Sequence, residues 1–411
     1  MASPTDIQES AQALFCALAN KHGATNIDAT FNKETYPTYL DFKKAWNKKN
    51  KSVTIEKAFQ THVKSGKASF DEIEEFLHGT KEKSKSKKND WYYSSLQISK
   101  QLIKDIASIS NKFNYVKSGD WSNIFWRHGD KEVMENIAKL YKKANDYQKL
   151  LVVSGSKADR PFDNINKWST ADIYFASETA KREIEDLVKE KKLDFTKLNS
   201  FVSKTITEGS LLPLSLKKQP NSVTIKKVNF NRPQEQKDID KLEYSGTEDW
   251  KKFDPKKDDI NKYKRTLILF MSKDKKLTLQ LRHDASTEIF KGVVVIPGSG
   301  AFEGSISAGG IRDMIKTVDA NFAKKWYDTY DNVNIKFRER KSFLDKELKT
   351  KDRARYDEER EMASALVTNE VNPLLLDWLK KDQKRSDLFV RAIYTYATAR
   401  STNSSKYVIA K

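Results

Sequence analysis

The chain holds one cysteine, Cys16, in 411 residues. That excludes an intramolecular disulfide and any zinc site built on several thiolates, and it points to a reducing, cytoplasmic compartment. Cys16 falls inside the apolar stretch Ala11-Gln12-Ala13-Leu14-Phe15-Cys16-Ala17-Leu18, where a thiol reads as a core residue. Long hydrophobic runs are missing as well. Nowhere are there the ~18 consecutive apolar residues of a membrane helix, and no charged segment followed by a hydrophobic core opens the chain, so neither a membrane partner nor export by the usual route is expected. The five histidines, His22, His62, His78, His128 and His283, are scattered without a pair at metal-ligand spacing, which argues against zinc chemistry. The glycine-rich segments Gly298–Gly300 and Gly304–Gly310 lack a Gly-Lys-Ser/Thr ending. They read as a connector ahead of a helix near Ile311 rather than as a nucleotide-hydrolysing loop.

Negative charge is the other shortage. Lys and Arg number 76 against 57 Asp and Glu, a net charge of +19 and an isoelectric point near 9.5. A field of that sign concentrates polyanions at the surface and makes binding salt-dependent, which puts DNA first among partners. Solubility alone is the competing explanation, since lysine is also an ordinary solvated residue.

The length implies two or three domains. Residues 1–80 read as a helical module: Thr5 and Gln8 have capping-box spacing, Ile7, Ala11, Leu14, Phe15 and Leu18 share a face, and a helix over Ser69–Leu77 stops at Gly79. Residues 81–90 have no apolar side chain and read as a charged linker. An α/β core is expected over 91–310, a mixed central sheet flanked by helices. Its strands are Leu150–Ser154, Ala171–Ala176, Leu211–Lys218, Val223–Val228, Thr266–Phe270, Leu277–Arg282 and Val293–Ile296, with a polar insertion at 231–263. Asp274 suits the turn of a hairpin, and a charged helical region fills 311–411. The aromatic clusters Trp91-Tyr92-Tyr93 and Trp121 to Arg127 read as core or interface in preference to base-stacking platforms.

Hydrolysis of a phosphodiester with a metal ion needs carboxylates to hold the cation and a lysine nearby to offset developing charge. Asp172 opens one strand, and strand alternation puts Ser215 and Lys217 on one face of another, with Leu214 and Leu216 on the opposite face. Thr170-Ala171-Asp172-Ile173-Tyr174 and Pro213-Leu214-Ser215-Leu216-Lys217-Lys218 together resemble the two motifs of the PD-(D/E)XK nuclease superfamily. The resemblance spans roughly residues 120–310. It implies a Mg²⁺ or Mn²⁺ cofactor, a DNA substrate, Asp172 as metal ligand and Lys217 as catalytic lysine, with Ser215 where the family carries Asp or Glu. A hydroxyl is a poor ligand for a hard dication, so activity requires a carboxylate from elsewhere, with Glu132, Glu135 and Glu208 as candidates. Lys218, Gln280 and Arg282 are candidate nucleic-acid contacts, the last two sharing a strand face.

A lysine-rich chain with such a core and helical additions also resembles phage-encoded proteins, which would place it in the host cytoplasm or the virion. The second reading is accordingly a non-catalytic structural or virion-associated protein with a degenerate nuclease-like fold. Assembly into a homo-oligomer or a virion stays open beside DNA binding.

Overall fold

A computed structural model of the chain describes residues 2–23, 26–79, 90–113, 123–126, 131–154, 161–217, 222–263, 266–297 and 301–410. The chain divides into two compact units. Unit 1 comprises residues 1–230 and 402–411, and unit 2, residues 231–401, is inserted into it. This replaces the expected division into a module at 1–80, a core at 91–310 and a tail at 311–411.

Unit 1 begins with α1 (Pro4–His22), α2 (Ile27–Thr30), α3 (Tyr39–Lys49), α4 (Ile55–His62), β1 (Val63–Lys64), α5 (Phe70–His78) and α6 (Asp90–Ile109). It continues through β2 (Asn123–Trp126), α7 (Met134–Val153), α8 (Ile165–Trp168), β3 (Ile173–Ala176), α9 (Glu178–Lys189), α10 (Phe195–Thr207), β4 (Leu211–Leu216) and β5 (Ile225–Val228). The cap of α1 lies two residues earlier than expected. Ser3 accepts from the Asp6 amide while Asp6 returns to the Ser3 amide, which leaves Thr5 and Gln8 out of the capping box. Gly79 stops α5 with a positive φ of 75°.

Leu150–Val153, read above as a strand, is the last turn of α7. Its β-branched valines suit either state, and the run is solvated rather than buried, with Leu150 66 % and Val153 85 % exposed. The N-terminal helices are not a separate module either. Phe15, Leu18, Phe42, Tyr92, Leu96 and Ile103 share one core with Ile173, Phe175, Leu212, Leu214, Val408 and Ala410 of the sheet, so α1, α3 and α6 cover one sheet face. On the opposite face α9 and α10 contact β3 and β4, and α7 packs on both helices. Of the expected linker at 81–90, residues 81–89 lie outside the described residues, and Asp90 is the first residue of α6.

The elements of unit 2 are α11 (Arg232–Asp240), β6 (Leu267–Phe270), β7 (Thr278–Asp284), β8 (Ile289–Ile296), β9 (Ala301–Ser307), α12 (Ala308–Lys316), α13 (Ala320–Glu347), α14 (Arg353–Lys380) and α15 (Gln383–Ala397). The four strands form an antiparallel meander in chain order, with Asp274 in the β6–β7 turn as expected. Gly304–Ser307, read as a loop, belongs to β9, and Ser307 caps α12. The stretch read as a polar insertion supplies core residues: Phe253 and Ile260 pack with Ala365, and Asn369 bonds both the amide and the carbonyl of Phe253.

The chain then returns to unit 1. The last strand, β10 (Tyr407–Ala410), lies between β4 and β5 in a six-stranded mixed sheet of order β1-β2-β3-β4-β10-β5. It pairs parallel to β4 and antiparallel to β5. Helix was expected throughout 311–411, so β10 is a correction as well as the element that closes the sheet. The whole is a mixed α/β architecture with two sheets and flanking helices.

Candidate active site

Asp172 directly precedes β3, and the antiparallel register sets Ile173 opposite Leu214. Its amide donates to the Leu214 carbonyl at 2.9 Å, which continues the ladder by one residue and puts the Asp172 side chain at the C-terminal end of β4. There its Oδ2 accepts from Ser215 Oγ at 3.1 Å and from the Leu216 amide at 2.6 Å. Hydrogen bonds to a carboxylate are stronger than neutral ones, so these two fix the orientation of the group. Both fall on Oδ2.

Ser215 is fully buried, and its hydroxyl is used in holding Asp172. Leu212, Leu214 and Leu216 point into the core shared with α1 and α6, so the alternation read from the sequence holds and places Ser215 on the other face. One residue further, the Lys217 amide donates to the Ala410 carbonyl at 3.0 Å. The Lys217 side chain is half-buried and makes no ion pair among the described residues.

A cavity of about 150 Å³ opens beside Asp172 and Leu216. Its remaining described walls are Thr5, Gln8, Glu9 and Gln12 of α1 and Trp91 of α6. The carboxylate beside Asp172 is therefore Glu9, which sequence reasoning missed. Gln12 is the second unforeseen residue: it is 2 % exposed, and its Oε1 is buried without a hydrogen-bond partner. The only sequence signal was the helical spacing of Thr5, Gln8, Glu9 and Gln12 along one side of α1, which reads equally as a polar helix face.

The other candidate ligands stand elsewhere. Glu132 pairs with Lys181 at 2.5 Å, Glu135 with Lys139 at 2.9 Å across one helical turn, and Glu208 lies 3.9 Å from Lys204. None of the three lines this cavity. Among the described residues no cluster of three or more His, Cys, Asp and Glu side chains forms a metal site. The oxygen donors lining the cavity are thus two carboxylates, Asp172 and Glu9, two amide oxygens, Gln8 and Gln12, and the Thr5 hydroxyl. Oxygen donors alone suit a hard dication, and Mg²⁺ commonly takes only one or two protein carboxylates, the remainder being water and substrate phosphate.

Gln280 and Arg282 belong to unit 2. They alternate with the buried Leu279 and Leu281 on β7, with Gln280 half-buried and Arg282 exposed opposite Lys291. Lys218, Trp121 and Arg127 lie outside the described residues. Tyr92 and Tyr93 are buried in the α1–α6 core, whereas Trp91 of the same cluster is half-buried and lines the cavity. Among the described residues no helix is long and apolar enough to cross a membrane. No protein-family model matches the chain, and no curated protein or solved structure is similar to it.

Proposed function

We propose that unit 1 is a PD-(D/E)XK-like nuclease core that hydrolyses phosphodiester bonds of DNA with a divalent cation, Mg²⁺ or Mn²⁺. The observation that carries this reading is Gln12 Oε1, a buried acceptor without a partner in a cavity it shares with Asp172 and Glu9. Burying such an oxygen unmatched costs ~1–3 kcal/mol, which a bound cation or its water would offset. Asp172, Glu9 and Gln12 would hold the ion. When bound, it supplies a Lewis acid for the phosphoryl oxygen and a more acidic water.

The remaining work belongs to the chain. Ser215 and the Leu216 amide orient Asp172, Leu216 and Trp91 supply apolar wall to the cavity, and Lys217 offers an unpaired positive charge to the phosphate. The surroundings favour a polyanion: after Glu208 the chain has no acidic residue until Glu235, while Lys217, Lys218, Lys226 and Lys227 follow one another on and around β4 and β5. The mixed sheet with helices on both faces is also the architecture that the motif resemblance implies.

A second reading rests on Ser215. With a hydroxyl in place of a carboxylate, unit 1 would bind DNA as a structural or virion-associated protein without cutting it.

Cleavage of supercoiled and linear DNA in Mg²⁺ or Mn²⁺ separates the two. Wild type should cut, and Asp172→Asn and Glu9→Gln should each abolish cutting while retaining salt-sensitive DNA binding and the wild-type circular dichroism spectrum. Wild type that binds without cutting in either metal would establish the structural reading. Cutting that persists in Asp172→Asn would sink this site.

A further inference from the structure

The end of the sheet that carries Asp172 has a second opening. β1 runs parallel to β2, with Lys64 beside Phe125, and β2 runs antiparallel to β3, with Trp126 beside Ile173. The C-terminal ends of β1, β2, β4 and β10 therefore share one sheet edge with the N-terminal end of β3, where Asp172 sits. Where β1 ends, a cavity of about 410 Å³ is bordered by Lys64, Ser65, Lys67, Ser69, Lys131 and Glu132.

Its charge is what sets this cavity apart. Lys64, Lys67 and Lys131 are exposed, and among the described residues none of them forms an ion pair, whereas Lys43, Lys100, Lys181 and Lys204 do. The one carboxylate among the described lining residues, Glu132, is bound by Lys181. That bond, with the nearby Lys64 charge adding to it, holds the Glu132 carboxyl below its ordinary range. Three lysines thus face the opening without a counter-charge of their own.

The loop that follows Lys64 and carries Lys67 is held in place. Ser65, 7 % exposed, donates to the Ala68 carbonyl at 2.6 Å. Gly66 has φ +71°, a left-handed conformation that glycine adopts without Cβ strain. The start of α5 is already satisfied, because Ser69 and Glu72 cap one another, so an anion here would be held by the lysines and the exposed loop.

We infer that this cavity is a phosphate-binding subsite, holding a backbone phosphate of the same nucleic-acid strand whose scissile phosphate lies at the Asp172 cavity. The identity of the polymer rests on the function proposed above. The spacing is suitable: β1 and β3 flank β2, so their ends lie about 10 Å apart at ~4.8 Å per strand, within reach of two nearby phosphates of one nucleic-acid strand.

The test compares wild type with the triple variant Lys64→Ala, Lys67→Ala, Lys131→Ala. A control makes the same charge change at the exposed Lys189, which ends α9, and at Lys191 and Lys192 just after it. Oligonucleotide binding is measured against salt without divalent cation, and the thermal midpoint is measured against added inorganic phosphate. The expected result is a salt slope about one unit shallower in the cavity variant than in the control, with an unchanged fold by circular dichroism. A phosphate-dependent rise in midpoint, present in wild type and lost in the cavity variant while the slopes stay equal, would keep the phosphate site but overturn its assignment to a polymer. Equal slopes together with no phosphate effect would overturn the site itself. Because no metal is present, a wild type that binds DNA through these lysines but never cuts would refute the hydrolase reading and leave this subsite standing.

Discussion

The Ser215 hydroxyl and the His283 ring are both buried polar groups whose partners can be named, and each yields a measurable consequence. In the function proposed above, Ser215 acts through Asp172, to which its hydroxyl donates, and is a positioning residue. Ser215→Ala removes one of the two bonds on Asp172 Oδ2. Loss of an orienting partner of this kind costs about 10–100-fold in metal affinity or activity. Cleavage should fall by that factor at saturating DNA, the metal concentration for half-maximal activity should rise, and Ser215→Thr should restore both. Equal activity in Ala and Thr variants would remove the positioning role. In unit 2, His283 is 3 % exposed, with Nδ1 3.0 Å from Ser364 Oγ and Nε2 3.0 Å from Asn334 Oδ1. Burial holds its pKa below the ordinary 6.5, assisted by the Arg338 charge and opposed by the Asn334 bond, Asp284 and Glu288. The unfolded chain therefore takes up this proton first as pH falls. The stability that His283 contributes is complete above about pH 6.5 and declines below it until the folded-state value is passed. His22 in unit 1 shifts in the same direction, so a difference between proteins isolates the effect. The urea midpoint of wild type should drop from pH 7.5 to pH 5.5 by more than that of His283→Gln, and identical drops would refute the assignment.

Elements were legible where one local signal decided them. β3 and β4 stand out as short β-rich runs between turns, and their pairing joins Asp172 to Ser215 as the motif spacing implied. Leu150–Val153 has the composition of a strand, yet it continues the helical run from Met134, and in its exposed position no sheet neighbour stabilises the extended form. β10 is four fully buried residues after a long helical region, and what makes it a strand is β4 and β5, some 180 to 195 residues earlier in the chain. Glu9 and Gln12 were illegible for the same reason: they share a cavity with Asp172 only because α1 packs on a sheet formed much later in the chain. β9 shows the converse, where glycine content suggested a loop although the segment pairs antiparallel with β8. A Cβ on Gly304 would lie 2.1 Å from the Ala397 carbonyl oxygen, so glycine there permits α15 to approach the strand. Gly304→Ala should destabilise unit 2 by about 3 kcal/mol or more, read from denaturant unfolding. A cost under ~1 kcal/mol would show that the strand and helix can separate freely.

At the scale of the whole molecule, the order of the chain links the stabilities of the two units. β5 and β10 are antiparallel neighbours, with Val228 opposite Tyr407, and Asn229 Nδ2 donates to the Ser405 carbonyl at 2.6 Å, so the strands leave unit 1 side by side. Unit 2 begins and ends at a matching junction, where Arg232 Nη1 donates to the Ser401 carbonyl at 2.9 Å. While unit 2 is folded, its ends meet, and β10 reaches its place between β4 and β5 without closing a long loop. When unit 2 is unfolded, the same pairing must close a flexible segment of residues 231–401. Relative to a turn about thirtyfold shorter, that closure costs about 3 kcal/mol by the logarithmic dependence on length. A destabilised unit 2, as in Gly304→Ala, should therefore lower the unfolding midpoint of unit 1 as well. Replacing residues 231–401 with a short Gly/Ser turn should give a unit 1 that unfolds in one cooperative transition and keeps the salt-sensitive DNA binding proposed for it. The comparison is a thermal scan of the full chain, of Gly304→Ala and of the shortened chain, each with DNA binding measured at one salt concentration. A shortened chain without a cooperative transition would mean that β10 depends on unit 2 for more than the closing of its loop.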